Sequence, residues 1–213
     1  MKILAAADIH GREASLRRLC RVCGETCPEV LVLAGDITGW GNDEHVFEIL
    51  ESLALPVLAV HGNVDADDLT EMAARYRNIR SLHLREETVA GVPFVGWGGG
   101  VSATLLERFL PRRSTKNGIE AVPSLKEDTV FVTHIPPWGI LDSGFASLHG
   151  GSKALRQLLE DRQPRLMICG HIHECRGIER LGKTTVVNCS MGIRGTGALI
   201  ELRRDGGMEI DFL

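Results

Sequence analysis

Seven candidate metal ligands fall in five short motifs: Asp8-x-His10, Gly35-Asp36, Gly62-Asn63-x-Asp65, Thr133-His134 and Gly170-His171-Ile172-His173. Each motif follows an apolar stretch, at the point where a strand would give way to a loop. Asp8, His10, Asp36, Asn63, His134, His171 and His173 offer enough donors for two metal ions that share a carboxylate. A set of carboxylate, imidazole and amide oxygen without thiolate suits manganese, iron or zinc, not a structural cysteine-zinc site. Two divalent ions carry four positive charges, of which Asp8 and Asp36 cancel two. A bridging hydroxide would cancel one more and leave a positive centre for an anionic phosphoryl group. Two ions ~3.5–4 Å apart polarise phosphoryl oxygens and lower the pKa of bound water. These residues therefore point to hydrolysis of a phosphate ester.

The spacing carries its own expectation. In an extended segment residues i and i+2 point the same way, so Asp8 and His10 should converge, and His171 and His173 likewise. Gly35, Gly62 and Gly170 would let the backbone turn sharply or approach closely. Taken singly the motifs are ordinary, since Gly35-Asp36 is a common turn and Gly62-Asn63 is a left-handed turn signal. Any one of the histidines could be a core or surface residue. Their occurrence as an ordered set of five separates a metal centre from chance.

The elements that must position them alternate strand and helix. Lys2–Ala7, Glu29–Leu33 and Val57–Val60 read as apolar strands. Between and after them come helices over Arg12–Cys23, Asp43–Leu53 (capped by Asn42 or Asp43) and Ala66–Arg75, the last with Asp65 or Asp67 near its start. Short strands near Ser81–Leu84, Thr88–Val89 and Pro93–Val95 precede a glycine-rich turn, Gly96 to Gly100. A helix over Ala103–Leu110 and a polar loop over Pro111–Val122 follow. Strand Val130–Thr133 delivers His134, and helix Ser152–Glu160 has Ser152 as its N-cap. Strand Leu166–Cys169 then delivers His171 and His173. The tail reads as antiparallel strands near Gly177–Arg180, Thr184–Val187, Ala198–Leu202 and Met208–Phe212, with a turn at Asp205-Gly206-Gly207. Continuous apolar strands imply parallel strands covered on both faces. Ligand sites in such sheets lie beyond the carboxyl ends of the strands, which is where Asp8, Asp36 and Asn63 fall. Two sheets packed face to face with helices outside account best for this order.

At 213 residues the chain is expected to form one domain, residues 1–213. A net charge of −4 with mixed signs supplies no basic field for a nucleic-acid or membrane surface. The apolar start, Met1–Ala5, is too short for a secretion signal, and no run reaches the ~18 apolar residues of a membrane span. A cytoplasmic protein is expected. The six cysteines, Cys20, Cys23, Cys27, Cys169, Cys175 and Cys189, are expected as free thiols. Leu16, Leu19, Cys20 and Cys23 fall on one helical stripe, so Cys20-x-x-Cys23 reads as core, not as a redox or zinc pair.

The five motifs together resemble the calcineurin-like metallophosphoesterase superfamily, from Met1 to about Ser190. The stretch around Leu148–Arg176 is similar to small prokaryotic phosphoesterases related to cyclic-nucleotide phosphodiesterase. The resemblance implies a four-layer αββα sandwich of two mixed sheets flanked by helices, with a dinuclear metal site at strand ends. It implies one metal held by Asp8, His10, Asp36 and His173, and a second by Asp36, Asn63, His134 and His171, with Asp36 bridging. The implied reaction is attack of the bridging hydroxide on phosphorus in a small phosphodiester or phosphomonoester, with Asp36 and Asn63 central to it. Manganese is the expected ion, with iron, zinc or nickel as alternatives. The partner is a small phosphate ester; a homodimer stays open. A scaffold on the same fold and a nuclease are the competing functions.

One position departs from the resemblance. A histidine often follows the motif asparagine, where it contacts the phosphoryl group or protonates the leaving alkoxide. Here the residue is Val64. His149, in the loop before the Ser152 helix, is a candidate to supply the missing contact, alone or with His61. Asp65 is expected to order the Asn63 loop or a ligand imidazole. Gly98–Gly100 could approach a substrate, Arg108, Arg112, Arg113 and Lys116 could line an anionic path, and Trp97 and Trp138 could stack on a base. Turn, solvated loop and core packing are the competing readings of these last groups.

Overall fold

Three parallel strands at the start of the chain, β1 (Lys2–Ala6), β2 (Val30–Ala34) and β3 (Val57–Val60), are almost uniformly apolar and buried. Alternation is absent because each face has its own cover. Ile3, Ala5, Val30, Val32, Leu58 and Val60 turn inward to one core. Their neighbours Leu4, Ala6, Leu31, Leu33, Val57 and Ala59 turn outward to another. The outer cover comes from α1 (Glu13–Thr26), α2 (Glu44–Ser52) and α3 (Leu69–Ala73) through Leu16, Leu19, Phe47, Leu50 and Met72. The computed structural model describes residues 1–39, 44–65, 69–99, 118–144 and 149–213.

The chain continues through β4 (Ile79–Ser81), β5 (Glu86–Val89), β6 (Val92–Trp97), β7 (Val130–Thr133), α4 (Lys153–Arg162) and β8 (Leu166–Cys169). A 3-10 turn at His173–Cys175 leads into β9 (Gly177–Leu181), β10 (Thr184–Asn188), β11 (Ala198–Leu202) and β12 (Met208–Phe212). Two six-stranded sheets result, ordered β12-β11-β1-β2-β3-β4 and β5-β6-β7-β8-β10-β9. β1 to β4 run parallel, and β11 and β12 close that sheet antiparallel. In the second sheet β6, β7, β8 and β10 are parallel, with β5 and β9 antiparallel at the edges. The inner core joins the sheets, with Phe94, Val130, Val132, Leu166, Ile168 and Val187 facing the first. On the outside, Leu155 and Leu159 of α4 cover Val95, Phe131, Met167 and Val186. This is the expected αββα sandwich.

Local departures from the sequence reading have simple causes. Helix α1 runs on past Cys23 to Thr26 and ends where Cys27 turns left-handed and donates its N–H to the Cys23 carbonyl, ahead of Pro28. Strand β4 lies earlier than Ser81–Leu84, because its pairing with β3 runs from Val57↔Ile79 to Ala59↔Ser81. Gly96 and Trp97 are not in a turn but extend β6 against Val132 and Thr133. Helix α3 covers Leu69–Ala73 within the expected Ala66–Arg75. The expected caps Asn42 and Asp43, the residues Ala66 and Asp67, Gly100, the Ala103–Leu110 helix, the start of the Pro111–Val122 loop and Leu148 lie outside the described residues. So do Arg108, Arg112, Arg113 and Lys116.

Candidate metal centre

Each candidate ligand stands just beyond the carboxyl end of a strand. β1 leads to Asp8 and His10, β2 to Asp36, β3 to Asn63, β7 to His134, and β8 to His171 and His173. The chain does not arrive extended, as the i, i+2 spacing suggested. Asp8, His10, Asp36 and His171 all have positive φ, at 62°, 54°, 50° and 72°. A non-glycine residue in this region carries about 1–3 kcal/mol of strain and persists only where its surroundings over-determine it. Here they do: the N–H groups of Asp8, His10 and Gly11 donate to the carbonyls of Gly35 (3.0 Å), Asp36 (2.8 Å) and Ile37 (3.0 Å). Two glycines make room. A Cβ at Gly62 would lie inside contact distance of Asp36 Oδ1, and Gly35 (φ 86°) passes directly against the His134 ring.

The side chains then assemble in two groups. Ligand atoms of Asp8, His10 and His173 lie within 4.8 Å of one another, and so do those of Asp8, Asp36 and His134. His173 Nε2 is 3.1 Å from Asp8 Oδ1. Around His134 Nε2 stand Asn63 Oδ1 at 3.0 Å, His171 Nδ1 at 3.2 Å and Asp36 Oδ2 at 3.5 Å. Asp36 Oδ2 also lies 3.9 Å from His10 Nε2, so it has an imidazole on either side. His171 and His173 therefore do not meet at one point as their spacing suggested. The left-handed turn at His171 sends them to different groups.

These donors fit divalent cations. His134 is fully buried, and its Nδ1 stands 2.9 Å from the Ala34 carbonyl, an acceptor that requires Nδ1 to carry hydrogen. In the neutral ring Nε2 is then a lone pair facing an amide oxygen and a second imidazole nitrogen. A cation at that point would satisfy these lone pairs together. Without a metal a proton takes that place: burial opposes it, but Asp36 and Asp8 push the His134 pKa up to about 9. Burial and the charge on His134 press His171 down to about 4. Burial would raise Asp36, yet its bond to His134 and the Val64 N–H hold it at about 2. Asp8 is likewise held below the usual carboxylate range against its burial, by His173, His134 and Ser190. Its Oδ1 is buried with no well-formed hydrogen bond, the 3.1 Å approach of His173 notwithstanding.

Several groups that hold the candidate ligands escaped the sequence reading. Ser190 Oγ, at 2.5 Å, and the His171 N–H, at 3.1 Å, both donate to Asp8 Oδ2. Asn188 Nδ2 donates to the carbonyls of Ile172 (2.9 Å) and Gly170 (3.3 Å), bracing the His171 turn. The Arg12 guanidinium donates to the Asp8 and Ile9 carbonyls. One signal was available for two of these. Asn188 and Ser190 stand at the end of apolar strand β10, as the ligands stand at the ends of theirs. Asp65 was anticipated and takes the first of its two expected roles. It is buried, accepts from the N–H groups of Gly62 (2.8 Å), Ile37 (2.9 Å) and Thr38 (2.8 Å), and so ties the Asn63 loop to the Asp36 loop.

The remaining candidates divide. His149 Nδ1 lies 2.8 Å from Asp142 Oδ1, and its ring packs on Trp138 at 4.8 Å. His61 lies in the loop before Asn63, its ring 4.7 Å from that of His83, and Gly98 donates its N–H to His83 Nδ1 at 3.0 Å. Trp97 is buried in the outer core of the second sheet. All six cysteines are free. Burial raises the Cys20 and Cys23 thiols, Cys23 to about 11, the opposite of a reactive pair. Two described cavities, of about 410 and 620 Å³, are lined by none of the seven ligand candidates. No helix among the described residues is long and apolar enough to cross a membrane.

Residues 1–175 match the model of the calcineurin-like phosphoesterases. An uncharacterised protein of Methanocaldococcus jannaschii is 31% identical over 200 residues, covering 89% of this chain and 88% of the relative. A solved structure from Thermus thermophilus superposes with a TM-score of 0.71 at 19% identity, over 99% of this chain and 98% of the other. Another, described as a novel archaeal phosphodiesterase, gives a TM-score of 0.58 at 16% identity over the full length of both chains.

Proposed function

Because this chain belongs to the calcineurin-like phosphoesterase family, we propose that it hydrolyses a small phosphodiester or phosphomonoester at a centre of two divalent ions. The ions would be held by Asp8, His10, Asp36 and His173 on one side and by Asp36, Asn63, His134 and His171 on the other. One observation carries this reading: Asn63 Oδ1, His171 Nδ1 and Asp36 Oδ2 all crowd His134 Nε2 within 3.5 Å. Divalent ions bound there would neutralise phosphoryl charge and make water a competent nucleophile near neutral pH. The chain's own part is to keep both carboxylates ionised and the imidazole groups aimed. Asp36 accepts the Val64 N–H at 2.9 Å, which fixes the carboxylate between His10 and His134. Asn63 is exposed at the rim, where substrate would enter.

Manganese is the ion we assign, on the mixture of hard oxygen and imidazole donors. The likeness to an archaeal phosphodiesterase supports including diesters among the substrates. The same reading takes residues 1–213 as one domain and places it in the cytoplasm, where six free thiols would stay reduced. The test is a panel of aryl phosphomonoesters and diesters assayed with manganese, nickel, zinc and magnesium, with metal content measured on the same samples. Turnover that depends on added metal and disappears in Asp36→Asn is expected. A protein that neither takes up metal nor cleaves any ester would be a scaffold instead, and selective cleavage of single-stranded DNA would make it a nuclease.

A further inference from the structure

Val64, next to the candidate ligand Asn63, has no proton to give a leaving oxygen. Elsewhere in the described chain one imidazole is built for that task. His149 Nδ1 lies 2.8 Å from Asp142 Oδ1. Asp142 is only 2% exposed, and its other oxygen accepts the Gly151 N–H at 3.1 Å. A buried carboxylate that fixes Nδ1–H leaves Nε2 on the far edge of a ring whose side chain is 42% exposed. The ring rests at 4.8 Å on Trp138, and the Lys153 ammonium covers the same indole at 4.8 Å. The arrangement gives His149 one orientation and leaves its free nitrogen open.

A purely structural latch would not need this imidazole. The loop is already closed through the backbone, by Gly150 N–H to the Asp142 carbonyl at 2.9 Å and by Gly151 N–H to its carboxylate. Ser152 N–H to the Pro136 carbonyl, at 2.9 Å, completes the closure. The loop also lies beside the segment that carries the candidate ligands His171 and His173. A Cβ at Gly150 would stand 2.7 Å from Ile172 Cδ1, and Ile172 sits between His171 and His173. Cys175 Sγ donates to the Ser143 carbonyl at 3.1 Å and joins the two segments again.

We propose that His149, oriented by Asp142, protonates the leaving oxygen of the substrate. The proposal rests on the phosphoesterase reading above. Water oxygen forms the new bond to phosphorus and gives a proton to solvent. The bond from phosphorus to the ester oxygen breaks, its electron pair stays on that oxygen, and the oxygen takes the Nε2 proton of the His149 imidazolium, which becomes the neutral ring with Nδ1–H still on Asp142. Solvent then returns a proton to the exposed ring. Asp142 is a positioning residue: it holds the tautomer and the ring plane and touches no substrate.

The experiment compares wild type, His149→Gln and Asp142→Asn in manganese on matched aryl and alkyl phosphoesters. A 4-nitrophenyl group leaves unaided, whereas an alkoxide needs a proton, and general acids contribute roughly 10²–10⁴-fold. His149→Gln should slow the alkyl ester about a hundredfold or more and the aryl ester by no more than about threefold. Asp142→Asn should show the same split, less pronounced. Added imidazole should restore part of the alkyl turnover in His149→Ala. Independently of activity, proton NMR of the metal-free protein should show a downfield His149 Nδ1 proton that disappears in Asp142→Asn. Equal losses on both esters, or no loss on either, would overturn the proposal while the phosphoesterase reading stood. A wild type inactive on every ester would bring down that reading, and this one with it.

Discussion

His134 Nε2 is the atom around which the centre closes. Its proton in the metal-free protein, held to about pH 9, must leave before a cation can bind. Because the pKa is raised, the proton is bound more fully as pH falls, so acid competes with metal. Manganese affinity should therefore weaken by at least about tenfold per pH unit between roughly pH 8 and 6, because His173 is raised as well. Calorimetry in buffers of different ionisation heat should show proton release on binding; an affinity flat across that range would contradict the assignment. Ser190 offers a second check at this scale. Groups that brace a ligand are typically worth ~10–100-fold in metal affinity, and Ser190→Ala should lose that much while its fold, followed by circular dichroism, stays intact. The candidate ligand types were visible in the sequence only as an ordered set of five motifs, each ordinary by itself. The backbone that presents them was not. Aspartate and histidine adopt positive φ far less often than glycine does, and Asp8's partner Ser190 lies 182 residues away.

Strands were read well and their ends less well, for one reason. An apolar run such as Val130–Thr133 announces itself, whereas its limits depend on the neighbour that pairs with it. Gly96 illustrates this: its glycine-rich context suggests a turn, but the register with Val132 keeps it in β6. Helix starts with a side-chain cap are legible. Ser152 accepts the Leu155 N–H at 3.3 Å, so Ser152→Ala should destabilise the protein by ~1 kcal/mol in urea unfolding. Gly62→Ala tests the loop after β3. The added methyl would press on Asp36 Oδ1 and its backbone nitrogen. Metal uptake should fall sharply, and a variant that still loads metal normally would show that the close approach is not needed.

For the molecule as a whole, strand order was beyond the sequence. Parallel alternation predicts a layered sandwich, but not that β11 and β12 return to flank β1 while β10 inserts between β8 and β9. The segment that leaves β10 for β11 delivers Ser190 to Asp8. The seven ligand candidates divide between the sheets, with Asp8, His10, Asp36 and Asn63 on the first and His134, His171 and His173 on the second. Metal would thus bind across the sandwich and favour the folded state. At a hundredfold excess over Kd one site adds about 2.7 kcal/mol. At about 2–4 °C per kcal/mol for a chain of this size, chelation should lower Tm by roughly 5–10 °C. Calorimetric melts with and without a chelator check this.

Donors spread from Asp8 to His173, with a brace at Ser190, also set a timetable. During translation the amino-terminal strands leave the ribosome long before β8 and β10 exist, and they can offer a passing ion only a fragment of its cage. On the proposed reading, the full set of donors would exist only once β8 and β10 have been made.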